Sequence, residues 1–255
     1  MALQYDKILF FGDSITQYAY NQDNGFCVGP ALQDLYTRKL DVVQRGFSGY
    51  NSDHAALMID KIIEAETTFT SKIRLMIVFF GTNDSVQPKN VVQHVPIQRF
   101  KQNMHKIYDS ATKAGSKVIF IGPGPLNAHV WKIGREDRYD DRTTLQAREY
   151  CDAAISVGKE LGAPVIPLWY AMMADLGWKE GDTIYGLLEE SEENPLKAYL
   201  NDGLHFAGPG YKVEFNEIVK AIKENYPELD PDNIPMKLPL WDQITSIDDL
   251  KKALE

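Results

Sequence analysis

The sequence predicts an α/β protein, a three-layer α/β/α sandwich with a parallel sheet between two layers of helices. Three observations predict it. Short β-branched and aromatic runs alternate with longer amphipathic stretches. The short runs are apolar throughout rather than at every second residue, as strands covered on both faces require. The stretches between them are long enough for helices, so the repeating unit is strand–helix–strand with a right-handed crossover.

Each element has its own signal. Lys7 to Phe11 (KILFF) reads as the first strand, stopped by Gly12. Leu40 to Gln44 is the second, Ile73 to Phe80 the third and Lys117 to Ile121 the fourth. Pro164 to Leu168 (PVIPL) is a weaker fifth. Four stretches carry apolar residues near a 3.6-residue period: 52–66, 96–114, 142–161 and 210–226. There is no internal repeat and no low-complexity linker, so residues 1–226 read as one domain. Residues 227–255 hold Pro231, Pro235 and Pro239 and then a helical pattern from Ser246 to Leu254. They read as an arm and short helix packed on that domain.

Leu126 to Asp141 and Met173 to Leu200 break the rhythm. They exceed the usual αβ connection of about 2–6 residues, and such insertions usually lie over the carboxyl edge of the sheet, where ligands bind. Their aromatics and bulky aliphatics (Trp131, Trp178, Tyr185, Leu187, Leu188), with Trp169 and Phe206, are candidates for a pocket wall as well as for packing.

Composition excludes several classes. The chain has 255 residues, 44% hydrophobic, with 27 Lys and Arg against 36 Asp and Glu, a net charge of −9. That balance repels phosphate backbones, so neither nucleic acid nor an anionic membrane is an expected partner. No apolar run reaches the about 18 residues of a transmembrane helix. The N-terminus lacks the basic and apolar regions of a signal peptide. Cys27 and Cys151 read as free, buried thiols, and a reducing, cytoplasmic location is expected. No histidine has metal-ligand spacing, so neither a metal nor a cofactor is expected. Whether the chain is a monomer or a homodimer stays open.

The chemistry-bearing residues lie where strands end. Gly12-Asp13-Ser14-Ile15 follows the first strand, and a serine at a strand-to-helix turn is held outside the sheet near the positive end of the next helix. Alone, the motif is equally a helix cap. A serine nucleophile needs a base. Asn201-Asp202-Gly203-Leu204-His205 sets a carboxylate three residues before an imidazole, in the loop before the last amphipathic helix. There Asp202 can accept the Nδ1 proton of His205 and stabilise the imidazolium formed when Ser14 gives up its proton. Two further strand-end loops, Gly46-Phe47-Ser48-Gly49 and Gly81-Thr82-Asn83-Asp84, offer backbone N–H groups and the Asn83 amide to a developing oxyanion.

Together the blocks GDS, G, GxND and DxxH, in that order over residues 6–226, resemble the SGNH, or GDSL-type, hydrolase family. The resemblance implies a flavodoxin-like sheet of five parallel strands in the order 2-1-3-4-5. It implies Ser14 as nucleophile, His205 as base and Asp202 as its orienting partner. It implies an oxyanion hole from Ser14, Gly49 and Asn83, with Gly46 as the competitor of Gly49. RGFSGYNS, VFFGTNDS, VIFIGPGP and LNDGLHFAGPGY are similar to the family's fungal isoamyl acetate-hydrolysing branch. That implies a small-molecule ester substrate, an acetate of a short alcohol. An acyl-thioesterase, a carbohydrate O-acetylesterase and a non-catalytic ligand-binding module are the alternatives.

Overall fold

In the computed structural model, which describes residues 4–135 and 141–254, five parallel strands pair in the order β2-β1-β3-β4-β5. They are β1 (Lys7–Gly12), β2 (Asp41–Gly46), β3 (Ile73–Phe79), β4 (Lys117–Ile121) and β5 (Val165–Ile166). This is the implied flavodoxin-like order. Helices α1 (Ser14–Tyr18) and α2 (Val28–Leu35) join β1 to β2, and α3 (Ser52–Glu66) joins β2 to β3. Next come α4 (Ile97–Lys113), α5 (Ala128–Trp131), α6 (Thr144–Leu161), α7 (Leu168–Asp175), α8 (Gly208–Asn225) and α9 (Ile247–Leu254).

The uniformly apolar strands are explained by two cores. Ile8 and Phe10 of β1, with Leu75, Ile77 and Phe79 of β3, face a layer formed by α1, α2, α7 and α8. Leu9 and Phe11, with Met76 and Val78, face α3, α4 and most of the inward face of α6. Alternate residues of one strand thus serve opposite cores, which requires every position to be apolar.

Two elements differ from the sequence expectation. The fifth strand shrinks to Val165–Ile166 because Pro164 and Pro167 offer no N–H to a ladder. Leu168 instead opens α7 (LWYAMMAD), where Leu168, Trp169, Met172 and Met173 are all buried. An almost wholly apolar helix shows no polar face, so its period is invisible in the sequence. Trp169 and Trp178 consequently belong to the core beneath α7, and Trp169 donates to the Thr144 carbonyl (3.1 Å). They are core residues rather than the pocket walls considered above.

After Pro227 the chain runs along the α2–β2 connection. Leu229 is buried and its carbonyl accepts from Tyr36 Oη (2.7 Å). Arg38 donates to the carbonyls of Leu238 (3.0 Å) and Pro239 (2.8 Å). In α9 no residue is fully buried, while Leu250, Ala253 and Leu254 are half-buried. Residues 136–140 of the first insertion lie outside the described residues.

Candidate active site

β1, β2 and β3 end side by side, and this brings the first three motif loops together. Phe47 N donates to the Gly12 carbonyl (2.9 Å) and Asp13 N to the Phe79 carbonyl (3.3 Å). Asp13 caps α1, its Oδ1 accepting from Ile15 N (3.0 Å). Ser14 is then the first helical residue, and its backbone N–H has no intrahelical acceptor.

The fourth loop reaches the same place from α8. Leu200 and Phe206 form an antiparallel bridge, and Asn201 N donates to the His205 carbonyl (2.7 Å), closing a tight loop. Within it the D-x-x-H spacing has a local cause. Asp202 Oδ1 accepts from the backbone N–H groups of Leu204 (3.1 Å) and His205 (2.9 Å), folding the carboxylate over its own turn. Its Oδ2 then meets His205 Nδ1 at 3.0 Å. A carboxylate only accepts, so Nδ1 carries the proton and Nε2 is left as acceptor. Ser14 Oγ lies 2.9 Å from that Nε2.

Burial alone would push the Asp202 carboxyl up. The hydrogen bonds from the His205 ring and backbone, the His205 charge and the Leu204 N–H hold it instead well below the ordinary carboxylate range. The Tyr18 ring packs edge-on against the His205 imidazole (5.2 Å between centroids). Tyr18 follows Ser14 by four residues, hence on the same face of α1.

The two glycines of the second loop separate clearly. Gly46 ends β2 opposite Gly12, and a Cβ there would lie 2.2 Å from the Gln17 backbone nitrogen. It is needed to let α1 approach the sheet. Gly49 has φ +81° inside the turn closed by Tyr50 N and the Phe47 carbonyl (3.1 Å), a backbone that suits glycine. Gly49 is joined to Asn83 by Gln93, whose Nε2 donates to the Gly49 carbonyl (3.2 Å) and to Asn83 Oδ1 (3.3 Å). Arg142 also donates to Asn83 Oδ1 (2.9 Å), and Asn83 Nδ2 donates to the Tyr50 carbonyl (2.8 Å). With its oxygen held by two donors, the amide presents its nitrogen, which carries a second proton beyond the one given to Tyr50.

Asp13 and Asp84 hold loops. Asp84 accepts from Ser52 N with both oxygens (3.0 and 3.2 Å), tying the third loop to the start of α3. Burial pushes Asp13 up to about 6 and Asp84 up to about 7.

The other four histidines have structural partners. His54 Nδ1 accepts from Asn51 N in a capping box (3.2 Å). His94 bonds the Val86 carbonyl, His105 the Glu160 carboxylate and His129 the Leu187 carbonyl. Among the described residues no group of three or more His, Cys, Asp or Glu is placed to hold a metal.

Tyr18, Gln93, Arg135 and Arg142 were not singled out from the sequence. Tyr18 alone had a local signal, its spacing from Ser14. The others reach the site from segments far away in the chain.

The geometry agrees with the comparisons to known proteins. The GDSL-like Lipase/Acylhydrolase family matches residues 10–213. The chain belongs to that family. It is a carboxylic ester hydrolase. It is 31% identical to the isoamyl acetate-hydrolyzing esterase of Saccharomyces cerevisiae, with 94% of this chain and 95% of that protein covered. It is 33% identical to a GDSL esterase/lipase of Oryza sativa subsp. japonica, over 85% of this chain and 77% of that one. Among solved structures it resembles an acetylxylan esterase from Geobacillus stearothermophilus (TM-score 0.62, 15% identity, 87% of this chain and 95% of that one). A GDSL-like lipase from Bacteroides thetaiotaomicron is similar to the same degree (TM-score 0.62, 17% identity, 88% and 92% covered).

Proposed function

We propose that this GDSL-family hydrolase is a serine esterase that cleaves acetate esters of small alcohols through an acyl-enzyme. The observation that carries the reading is the continuous hydrogen-bond path from Ser14 Oγ through His205 to Asp202, at 2.9 and 3.0 Å. Ser14 attacks the ester carbonyl while His205 Nε2 takes its proton, and the Asp202 carboxylate stabilises the imidazolium. The Ser14 and Gly49 N–H groups and Asn83 Nδ2 receive the oxyanion. The alcohol departs with the proton from His205. Water then repeats the sequence and releases the acid.

The acyl group is inferred from the relatives. The yeast relative is named for hydrolysis of isoamyl acetate and the Geobacillus structure for acetylxylan, so acetyl is common to both. A closed acyl site rejects long chains by overlap, whereas an open site gains about 0.8 kcal/mol for each methylene buried. Turnover of p-nitrophenyl esters with two to twelve acyl carbons tests this. We expect kcat/KM to fall by at least about tenfold between two and eight carbons, steeper than one methylene commands in a pocket that can hold it. A rise with chain length would remove the acetyl assignment and leave the Ser14 chemistry standing.

A cytoplasmic, reducing location agrees with the free, buried Cys27 and Cys151. It also agrees with Asn83-Asp84-Ser85, a glycosylation signal whose asparagine is buried inside the site.

A further inference from the structure

The β4–α6 connection contributes more than cover. α5 is fastened to the catalytic loop, with Asn127 N donating to the Gly203 carbonyl (2.8 Å). Four residues past Trp131, Arg135 Nη2 donates to Asp202 Oδ2 (3.0 Å), the oxygen that also receives His205 Nδ1, while its Nη1 donates to the Trp131 carbonyl (2.9 Å). At the other end of the insertion, Arg142 Nη1 donates to the Thr82 carbonyl (2.6 Å), and Nη2 to Asn83 Oδ1 (2.9 Å) and Gln93 Oε1 (3.1 Å).

Both guanidinium groups lie over the ring of Trp131, at 3.9 Å for Arg135 and 5.3 Å for Arg142. That indole is buried, and its Nε1 donates to Asp141 Oδ1 (3.3 Å). One buried ring therefore carries the two cations that hold the two ends of the reaction, the acid–base pair and the oxyanion amide.

We propose that Arg135 and Arg142, seated together on Trp131, are positioning residues: Arg135 fixes the Asp202 carboxylate beneath His205, and Arg142 fixes the orientation of the Asn83 amide. The proposal rests on the serine-esterase reading above. Planarity supports it. Asp202 Oδ1 is held by two backbone N–H groups, and Arg135 supplies a donor in a rigid fork for Oδ2, so that the carboxylate cannot swing away when the imidazole moves. Asn83 can flip its amide at little cost in shape. A charged donor on Oδ1 makes the flipped state unfavourable, because it would bring the amide NH2 against the guanidinium.

The test is a pair of mutant cycles, read both by steady-state kinetics and by the rate at which an activated phosphonate labels the enzyme. Arg135→Met and Arg142→Met are each expected to lower kcat by about 10- to 100-fold with KM little changed, the scale of a small misplacement of a catalytic group. The effect of Arg135→Met should vanish in the Asp202→Asn background and persist in Asn83→Ala. The effect of Arg142→Met should do the reverse. If Arg142→Met does not fold, Arg142→Lys, which keeps the charge but not the fork, is read in its place. Arginine effects that multiply unchanged through both backgrounds, or that fall on KM and melting temperature alone, would overturn the proposal. A wild-type enzyme that the phosphonate does not label on Ser14 would overturn the serine-esterase reading instead.

Discussion

Asp202 and Glu214 are carboxyl groups twelve residues apart, on the loop that carries His205 and on the helix that follows it, and their environments are opposite. Asp202 accepts from two backbone N–H groups, the His205 ring and Arg135. Its carboxyl is held well below the ordinary range although burial opposes this. Glu214 is fully buried, and neither oxygen has a hydrogen-bond partner among the described residues. Burial, with a smaller contribution from the Asp13 charge, pushes it up to about 8. The donors around a carboxyl group, rather than its chemical type, decide whether it is an anion in service to an imidazole or a neutral acid packed in a core.

The same isosteric change at the two positions should break the symmetry most visibly in turnover. Asp202→Asn removes the anion proposed to stabilise the imidazolium and is expected to lower kcat by about 10³- to 10⁴-fold. Ser14→Ala and His205→Ala should cost at least about 10³-fold. Glu214→Gln should leave kcat at the wild-type value. Equal losses at 202 and 214, measured on enzyme shown to be folded, would erase the distinction.

The oxyanion side sharpens the comparison, since Asn83 has its oxygen occupied by donors and its nitrogen given to the Tyr50 carbonyl with one proton to spare. Asn83→Ala should lower kcat by about 10²-fold and move KM less. A change confined to KM would make Asn83 a substrate-binding group instead.

Smaller and opposite in sign are the effects on stability. Glu214 keeps a proton in the folded chain that the unfolded chain releases. Its contribution therefore declines as pH rises from the ordinary glutamate range to about 8. Asp13 and Asp84, pushed up to about 6 and about 7, act in the same direction. Asp202 acts in the other: its contribution is complete above the ordinary aspartate range and is lost as pH falls below it. Urea titrations between about pH 5 and about pH 8 should show a shallower loss of stability for Glu214→Gln than for the wild type. Identical slopes would mean that Glu214 is ionised in the folded protein.

This contrast also marks what the sequence could disclose. Ser14, Gly49, Asn83, Asp202 and His205 are each adjacent to a strand end or to the last helix of the domain, so local patterning located them. The D-x-x-H motif is a self-contained turn, legible because its bonds span at most three residues. Gly49 was preferred to Gly46 through the family resemblance, and the backbone gives the two glycines different structural settings, a positive φ at one and a crowded helix at the other. Arg135 and Arg142 were illegible for a different reason: their bonds to Asp202 and Asn83 cross 67 and 59 residues. Glu214, inside a helix with ordinary spacing, gave no sign of being buried without a partner. α7 was hidden because its residues are apolar on the exposed side as well as the buried one, which erases the periodicity that marks a helix.

We propose Ser14 as a nucleophile made reactive by His205. Reaction with a serine-directed phosphonate, followed by intact mass and peptide mapping, tests it most directly. One adduct per chain is expected, on the peptide holding Ser14, absent from Ser14→Ala and formed far more slowly by His205→Ala. An adduct on another residue, or one that Ser14→Ala forms at the wild-type rate, would contradict it.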